Sequence, residues 1–219
     1  MTTVLITGAN RGIGLELARQ YQQRDASVIA VCRSAGDELP ALDVRIIDGI
    51  DVADADSIAR LAADLGDTVI DILVNNAGIL RGDDMAGADP EDMLDQYRIN
   101  AIGPLLVTRA LAGNLRKGSR VGLVTSRVGS IADNGSGGNY GYRASKAAAN
   151  MIGMNLHHDL KGRGIAVAML HPGFVATGMT RGNGIPASDA AAGLIERLDE
   201  LDLDSSGGFW HANGEQLPW

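Results

Sequence analysis

Short apolar runs rich in β-branched residues alternate with longer amphipathic stretches along this chain, and that alternation constrains the fold more than any single motif. The runs Val4–Thr7, Ser27–Cys32, Val44–Ile47, Ile70–Asn75, Val121–Thr125, Ile165–Leu170 and Gly208–His211 read as strands. Between them, Ile13–Arg24, Ala55–Leu65, Pro90–Leu115, Tyr142–Leu160 and Ala187–Leu198 read as helices. Repeated strand–helix units imply a parallel sheet with crossover helices on both faces. The expected fold class is therefore α/β, doubly wound, with a sheet of about seven strands. No linker, repeat or low-complexity run divides the chain, so one domain over residues 1–219 is expected. At 219 residues and 45% hydrophobic it can bury a full core without metals or disulfides.

The first strand runs straight into Thr7-Gly8-Ala9-Asn10-Arg11-Gly12-Ile13-Gly14 and then a helical pattern. A strand, a glycine turn and a helix in that order bring backbone N–H groups and a helix N-terminus up to a pyrophosphate, and glycines allow an approach that a Cβ would block. The spacing Gly-x-x-x-Gly-x-Gly departs from the common Gly-x-Gly-x-x-Gly, so taken alone the turn fits a Rossmann-type nucleotide site or a glycine turn with no ligand. A second constellation is Tyr142-Arg143-Ala144-Ser145-Lys146. Residues four apart share a helix face, and a phenol with an ordinary pKa of about 10 gains acid–base capacity beside an ammonium.

With both motifs in view, the chain resembles the short-chain dehydrogenase/reductase family. The resemblance spans nearly its whole length and also rests on Asp51-Val52, Asn75-Asn76-Ala77-Gly78, Asn100, Ser126 and Pro172-Gly173-x-x-x-Thr177. The closing run Gly208-Phe209-Trp210-His211 with Asn213-Gly214-Glu215 and Pro218-Trp219 is similar to the compact C-factor-like and carbonyl reductase branch. The resemblance implies an oxidoreductase that moves a hydride between a nicotinamide and a small aldehyde, ketone or secondary alcohol. Tyr142 would be the general acid or base, with Lys146 lowering its pKa and binding the nicotinamide ribose. Ser126 would donate to the substrate oxygen, and Asn100 would hold a water linking Lys146 to solvent. The alternative is a dinucleotide-binding regulatory or signalling protein with vestigial catalysis.

Cofactor contacts implied by matching positions are Gly8, Asn10, Arg11, Gly12, Ile13 and Gly14 around the pyrophosphate and Asp51 and Val52 at the adenine. Asn76, Ala77 and Gly78 would lie along the ribose. Pro172, Gly173, Val175 and Thr177 would hold the carboxamide. The second strand ends Val31-Cys32-Arg33-Ser34 with no acid at its tip. An acid there would hold the ribose hydroxyl of NAD, whereas an arginine accommodates the 2′-phosphate of NADP. Arg33 and Arg11 together favour NADP, with NAD as the second choice.

A formal net charge of −8 argues against nucleic acid or an anionic membrane as partner. No apolar run reaches membrane-span length, and Met1-Thr2-Thr3 enters a strand at once, so a cytoplasmic protein without a leader is expected. A homo-oligomer, dimer or tetramer, is left open by the resemblance. The single cysteine, Cys32, reads as a small buried residue. No metal is expected: His157 and His158 read as surface or subunit-contact residues without a third ligand. Tyr140 reads as a rim or packing residue, and His171 as a backbone contributor. The glycine-rich segment Gly178–Pro186 is expected to be a short, mobile lid that orders around a ligand, with Met179 and Ile185 as apolar contacts. Ala132–Asn139 is a second glycine-rich loop, a few residues longer than usual in the family that the chain resembles, and is expected to reshape the rim.

Overall fold

The computed structural model describes residues 1–219. Seven parallel strands form one sheet in the order β3-β2-β1-β4-β5-β6-β7. They are β1 (Thr3–Thr7), β2 (Ser27–Val31), β3 (Arg45–Ile47), β4 (Ile70–Asn75), β5 (Leu115–Val124), β6 (Ala166–His171) and β7 (Phe209–His211). The helices are α1 (Gly12–Gln23), α2 (Ala55–Leu65), α3 (Pro90–Tyr97), α4 (Gly103–Ala110), α5 (Tyr140–Lys161) and α6 (Ala187–Glu200).

Both faces of the sheet are apolar, as a parallel sheet covered on two sides requires. Val4 and Ile6 point with Val28, Ala30, Ile72 and Val74 into a core closed by Leu15, Leu17 and Ala18 of α1 and Leu194, Ile195 and Leu198 of α6. Leu5, one residue out of phase, points with Ile29, Leu73, Val121 and Val167 into a second core. Ile58 and Leu61 of α2, Val107 of α4 and Leu156 of α5 close that one. No helix is long and apolar enough to cross a membrane.

Three departures from the sequence reading have identifiable causes. The stretch expected as one helix from Pro90 to Leu115 is broken by a π turn at Arg98–Ile102 between α3 and α4. Pro104, four residues after Asn100, lacks the N–H that a regular helix would donate to the Asn100 carbonyl. β5 begins at Leu115 rather than Val121, its start hidden in the polar run Arg116-Lys117-Gly118, where the pairing with β4 shifts register between Ile70 and Ile72. Arg116 holds that end of β5 to β4 by an ion pair to Asp71 at 2.6 Å. Helix α5 starts at Tyr140, two residues early, because its N-terminus is capped from a distance: both carboxylate oxygens of Asp83 accept N–H groups, one from Tyr140 and one from Gly141.

Candidate active site

The carboxyl ends of the central strands open into one cleft of about 1270 Å³, where doubly wound sheets bind ligands. Every residue named above for cofactor contact lines it, from Gly8, Asn10, Arg11, Gly12, Ile13 and Gly14 through Arg33, Asp51, Val52, Asn76, Ala77 and Gly78 to Pro172, Gly173, Val175 and Thr177. Ser126, Tyr142 and Lys146 line it too, but Asn100 does not.

The glycine turn is built as much for packing as for a ligand. Gly8 and Gly12 have φ of 66° and 54°, a region costly for residues with a Cβ. A Cβ on Gly14 would lie 2.2 Å from the Gly8 carbonyl oxygen and 2.6 Å from Asn76 Nδ2, so this glycine serves the approach of α1 to the sheet and not only the approach of a phosphate. Thr7, which the sequence reading passed over, joins the two strand ends: its Oγ1 accepts from the backbone N–H of Asn76 at 3.0 Å and of Ala77 at 3.1 Å. The Asn76 amide donates to the Thr7 and Gly8 carbonyls, so Asn76 ties the turn to β4.

The residues fit a dinucleotide. Arg11 at the N-cap makes no side-chain bond to the helix, and the first turn of α1 holds no acid, so its N–H groups are uncapped and face the cleft. Arg11 and Arg33 are exposed and belong to no ion pair. Asp51 lines the cleft while its Oδ1 accepts from the Ala53 N–H at 2.9 Å, so it serves both as a turn former and as a lining carboxylate. The Val175 carbonyl accepts from the Thr180 hydroxyl at 2.6 Å, and its N–H donates to no group of the protein.

Tyr142 and Lys146 stand on α5 one turn apart, with the Lys146 ammonium 5.7 Å from the Tyr142 ring centroid. Burial pushes the phenol pKa up to about 12, and the facing Ser126 hydroxyl pulls the other way. The expected lowering by Lys146 is therefore not what governs the phenol here; desolvation is. The same desolvation brings Lys146 down to about 8, and its Nζ donates to the Val124 carbonyl at 2.9 Å. Asn100 lies one layer beneath. Its amide donates to the Ile79 carbonyl and to Ser145 Oγ and accepts from the Ile79 N–H, and Ser145 in turn donates to the Tyr142 carbonyl at 2.7 Å. Both amide donors are thus engaged, and any water must use an oxygen lone pair or the backbone carbonyl that Pro104 releases. Gly129, absent from the sequence reading, lets the turn after Ser126 sit on α5: a Cβ there would lie 2.7 Å from the Lys146 carbonyl carbon.

The family profile described as short chain dehydrogenase matches residues 2–185. The chain belongs to that family. Among curated relatives it is 42% identical, over 100% of both chains, to the 1-hydroxy-2-glutathionyl-2-methyl-3-butene dehydrogenase of Rhodococcus sp. strain AD45. It is also 42% identical to the C-signal of Myxococcus xanthus, over 68% of this chain and 93% of that one. Among solved structures, the NADPH-bound carbonyl reductase from chicken fatty liver superposes with a TM-score of 0.92 at 29% identity, covering 100% of this chain and 99% of the other.

Beyond this short-chain dehydrogenase core, the segment after Thr177 and the residue His157 depart from expectation. The segment after Thr177 is short, as expected, but it is tied back: Ile185 N–H donates to the Phe174 carbonyl, Ala176 N–H to the Ile185 carbonyl, and Gly182 N–H to the Thr177 carbonyl. Those bonds join the far end of the segment to the strand-end turn at Phe174–Thr177. Met179 lines the cleft, whereas Ile185 turns over Gly173. His157 is buried, with Nδ1 2.7 Å from Ser206 Oγ, and so is no surface residue. His171 faces His211 edge-on at 4.8 Å, and burial with the neighbouring cations lowers its pKa to about 3. A ring held neutral in this way does not serve as an acid at neutral pH. Trp219 stacks on Phe209 of β7.

Proposed function

We propose that this short-chain dehydrogenase is an NADP-dependent reductase of small carbonyl compounds, or the corresponding alcohol dehydrogenase. The observation that carries the reading is the convergence of Ser126, Tyr142 and Lys146 on the cleft that the uncapped α1 N-terminus and two unpaired arginines also line. The bound nicotinamide supplies or accepts the hydride. Ser126 donates a hydrogen bond to the substrate oxygen as charge develops there. Tyr142, protonated at neutral pH, transfers its proton to that oxygen, or takes it back in the oxidative direction. Lys146 draws closer to a full charge whenever an anionic oxygen forms beside it, which offsets its desolvation. Asn100 positions Tyr142 through Ser145. Arg33 and Arg11 would take the 2′-phosphate, a bidentate match for guanidinium.

The likeness to the C-signal keeps a signalling role in view, but a protein with vestigial chemistry has no need of an intact Ser126, Tyr142 and Lys146 set. The test is a panel of aldehydes and ketones with NADPH and NADH, followed by loss of absorbance at the reduced nicotinamide band. Turnover with a preference for NADPH is expected. Binding of either dinucleotide without turnover on any member would favour the regulatory reading.

A further inference from the structure

Two guanidiniums line the substrate side of the cleft, and they differ in what neutralises them. Arg127, next to Ser126, is paired with Asp133 at 2.6 Å and Glu215 at 3.3 Å. Arg143, next to Tyr142, takes part in no ion pair. Its partners are all neutral: Nε donates to the Gly137 and Gly138 carbonyls at 3.1 and 3.0 Å, Nη1 to the Val128 carbonyl at 3.3 Å, and Nη2 to Ser136 Oγ at 2.8 Å. Those bonds use three of the five N–H groups of a guanidinium. The side chain is half-buried, so a full positive charge sits in reduced solvent with two donors unengaged and no counter-ion.

A clamp for the glycine-rich loop needs the donors but not the charge. A charge left uncompensated in a ligand cleft is the complement of an anion, and a guanidinium binds a carboxylate more strongly than it binds neutral oxygens. The one nearby carboxylate on the loop, Asp133, is already held by Arg127.

We propose that Arg143 is a specificity-determining residue that binds a carboxylate on the substrate, so that the preferred substrates are carbonyl compounds bearing an acid group, such as ω-oxo carboxylic acids. The carboxylate docks on Arg143 at the mouth while the carbonyl reaches Tyr142 and Ser126. Because Arg143 is fixed to the same helix as Tyr142 and further held by its loop bonds, the distance between acid and carbonyl is selected, and one chain length is favoured. This inference rests on the carbonyl-reductase reading above.

The experiment compares ω-oxo acids of increasing length with their methyl esters, with NADPH as reductant, for wild type, Arg143→Gln and Arg143→Lys. In wild type the ratio of kcat/KM for acid over ester is expected to reach about tenfold or more at one length, since a charge-assisted bond contributes at least one factor of ten. Arg143→Gln keeps hydrogen-bond donors for the loop and loses the charge, so the ratio should fall towards one whatever happens to the separate rates. Arg143→Lys should restore part of it. Added salt should raise KM for the acid and leave the ester alone. A wild-type ratio near one at every length, or a ratio unchanged in Arg143→Gln, overturns the role of Arg143 while the reductase reading stands. No turnover of any acid or ester by wild type with either reduced cofactor overturns both.

Discussion

At the glycine-turn end of the cleft, main chain meets main chain: Gly14 lies against the Gly8 carbonyl, Gly8 against Ala77, and Thr7 bonds the backbone of Asn76 and Ala77. At the opposite end the walls are long side chains reaching across loops, Arg127 to Asp133 and Glu215, Arg143 to the Ser136–Gly138 turn. Backbone packed on backbone leaves no room for substitution and tolerates little beyond glycine. Side chains bridging loops can be exchanged without moving the sheet. The first end is suited to a constant ligand, and the second to one that differs from relative to relative.

Four measurements would break or sharpen that contrast. The largest effect is expected where the two ends meet. Tyr142→Phe should lower turnover by about 10²- to 10⁴-fold, the range for a general acid, while NADP affinity measured by titration changes only a few-fold. Appreciable turnover in that variant would remove the phenol from the chemistry.

The second measurement addresses the wall between them. The pKa of His171 is lowered from 6.5 to about 3, so in that window the unfolded chain takes a proton that the folded chain refuses. Stability from this group is therefore complete above pH 6.5 and is lost as pH falls towards 3. The groups responsible, besides burial, are His211, Arg127 and Lys146. Chemical denaturation at a series of pH values should show a shallower acid limb for His171→Leu than for wild type, and equal slopes would refute the assignment.

Third, Gly14→Ala should destabilise the fold by about 2–3 kcal/mol through a clash with main chain, whereas Gly135→Ala in the rim loop, with nothing within 4 Å, should stay within about 0.5 kcal/mol. Equal effects in urea melts would erase the contrast. The smallest effect concerns cofactor choice. Arg33→Asp should weaken NADP by about tenfold and improve NAD relative to it. Tighter binding of NAD by the wild type would show that the arginines do not select.

What the sequence made legible follows the same division. The strand–helix alternation and the lining residues from Gly8 to Thr177 were readable because periodicity and ordered motifs are local in the chain. The early start of α5 was not, since its cap, Asp83, lies far away in sequence. Thr7 and Gly129 were missed because their roles are close approaches between elements. The π turn had a signal, Pro104 at four residues after Asn100, that helical periodicity overrode. The balance of charge at the rim could not be read at all, because Arg127 and Arg143 look alike in sequence and differ only in their spatial neighbours. The governing influence on Tyr142 was likewise invisible: spacing suggests Lys146, while burial is a property of the folded site.

Cys32 follows β2 directly, is buried, and lines the cleft beside Arg33. It is the only cysteine in the chain, and burial together with Asp48 holds its thiol above the ordinary range. For a reagent such as a maleimide, this is a single slow target, reached only when the core packed around it opens. Its labelling half-time, read by mass, becomes a clock for cofactor occupancy that requires no substrate, and saturating dinucleotide should stretch it.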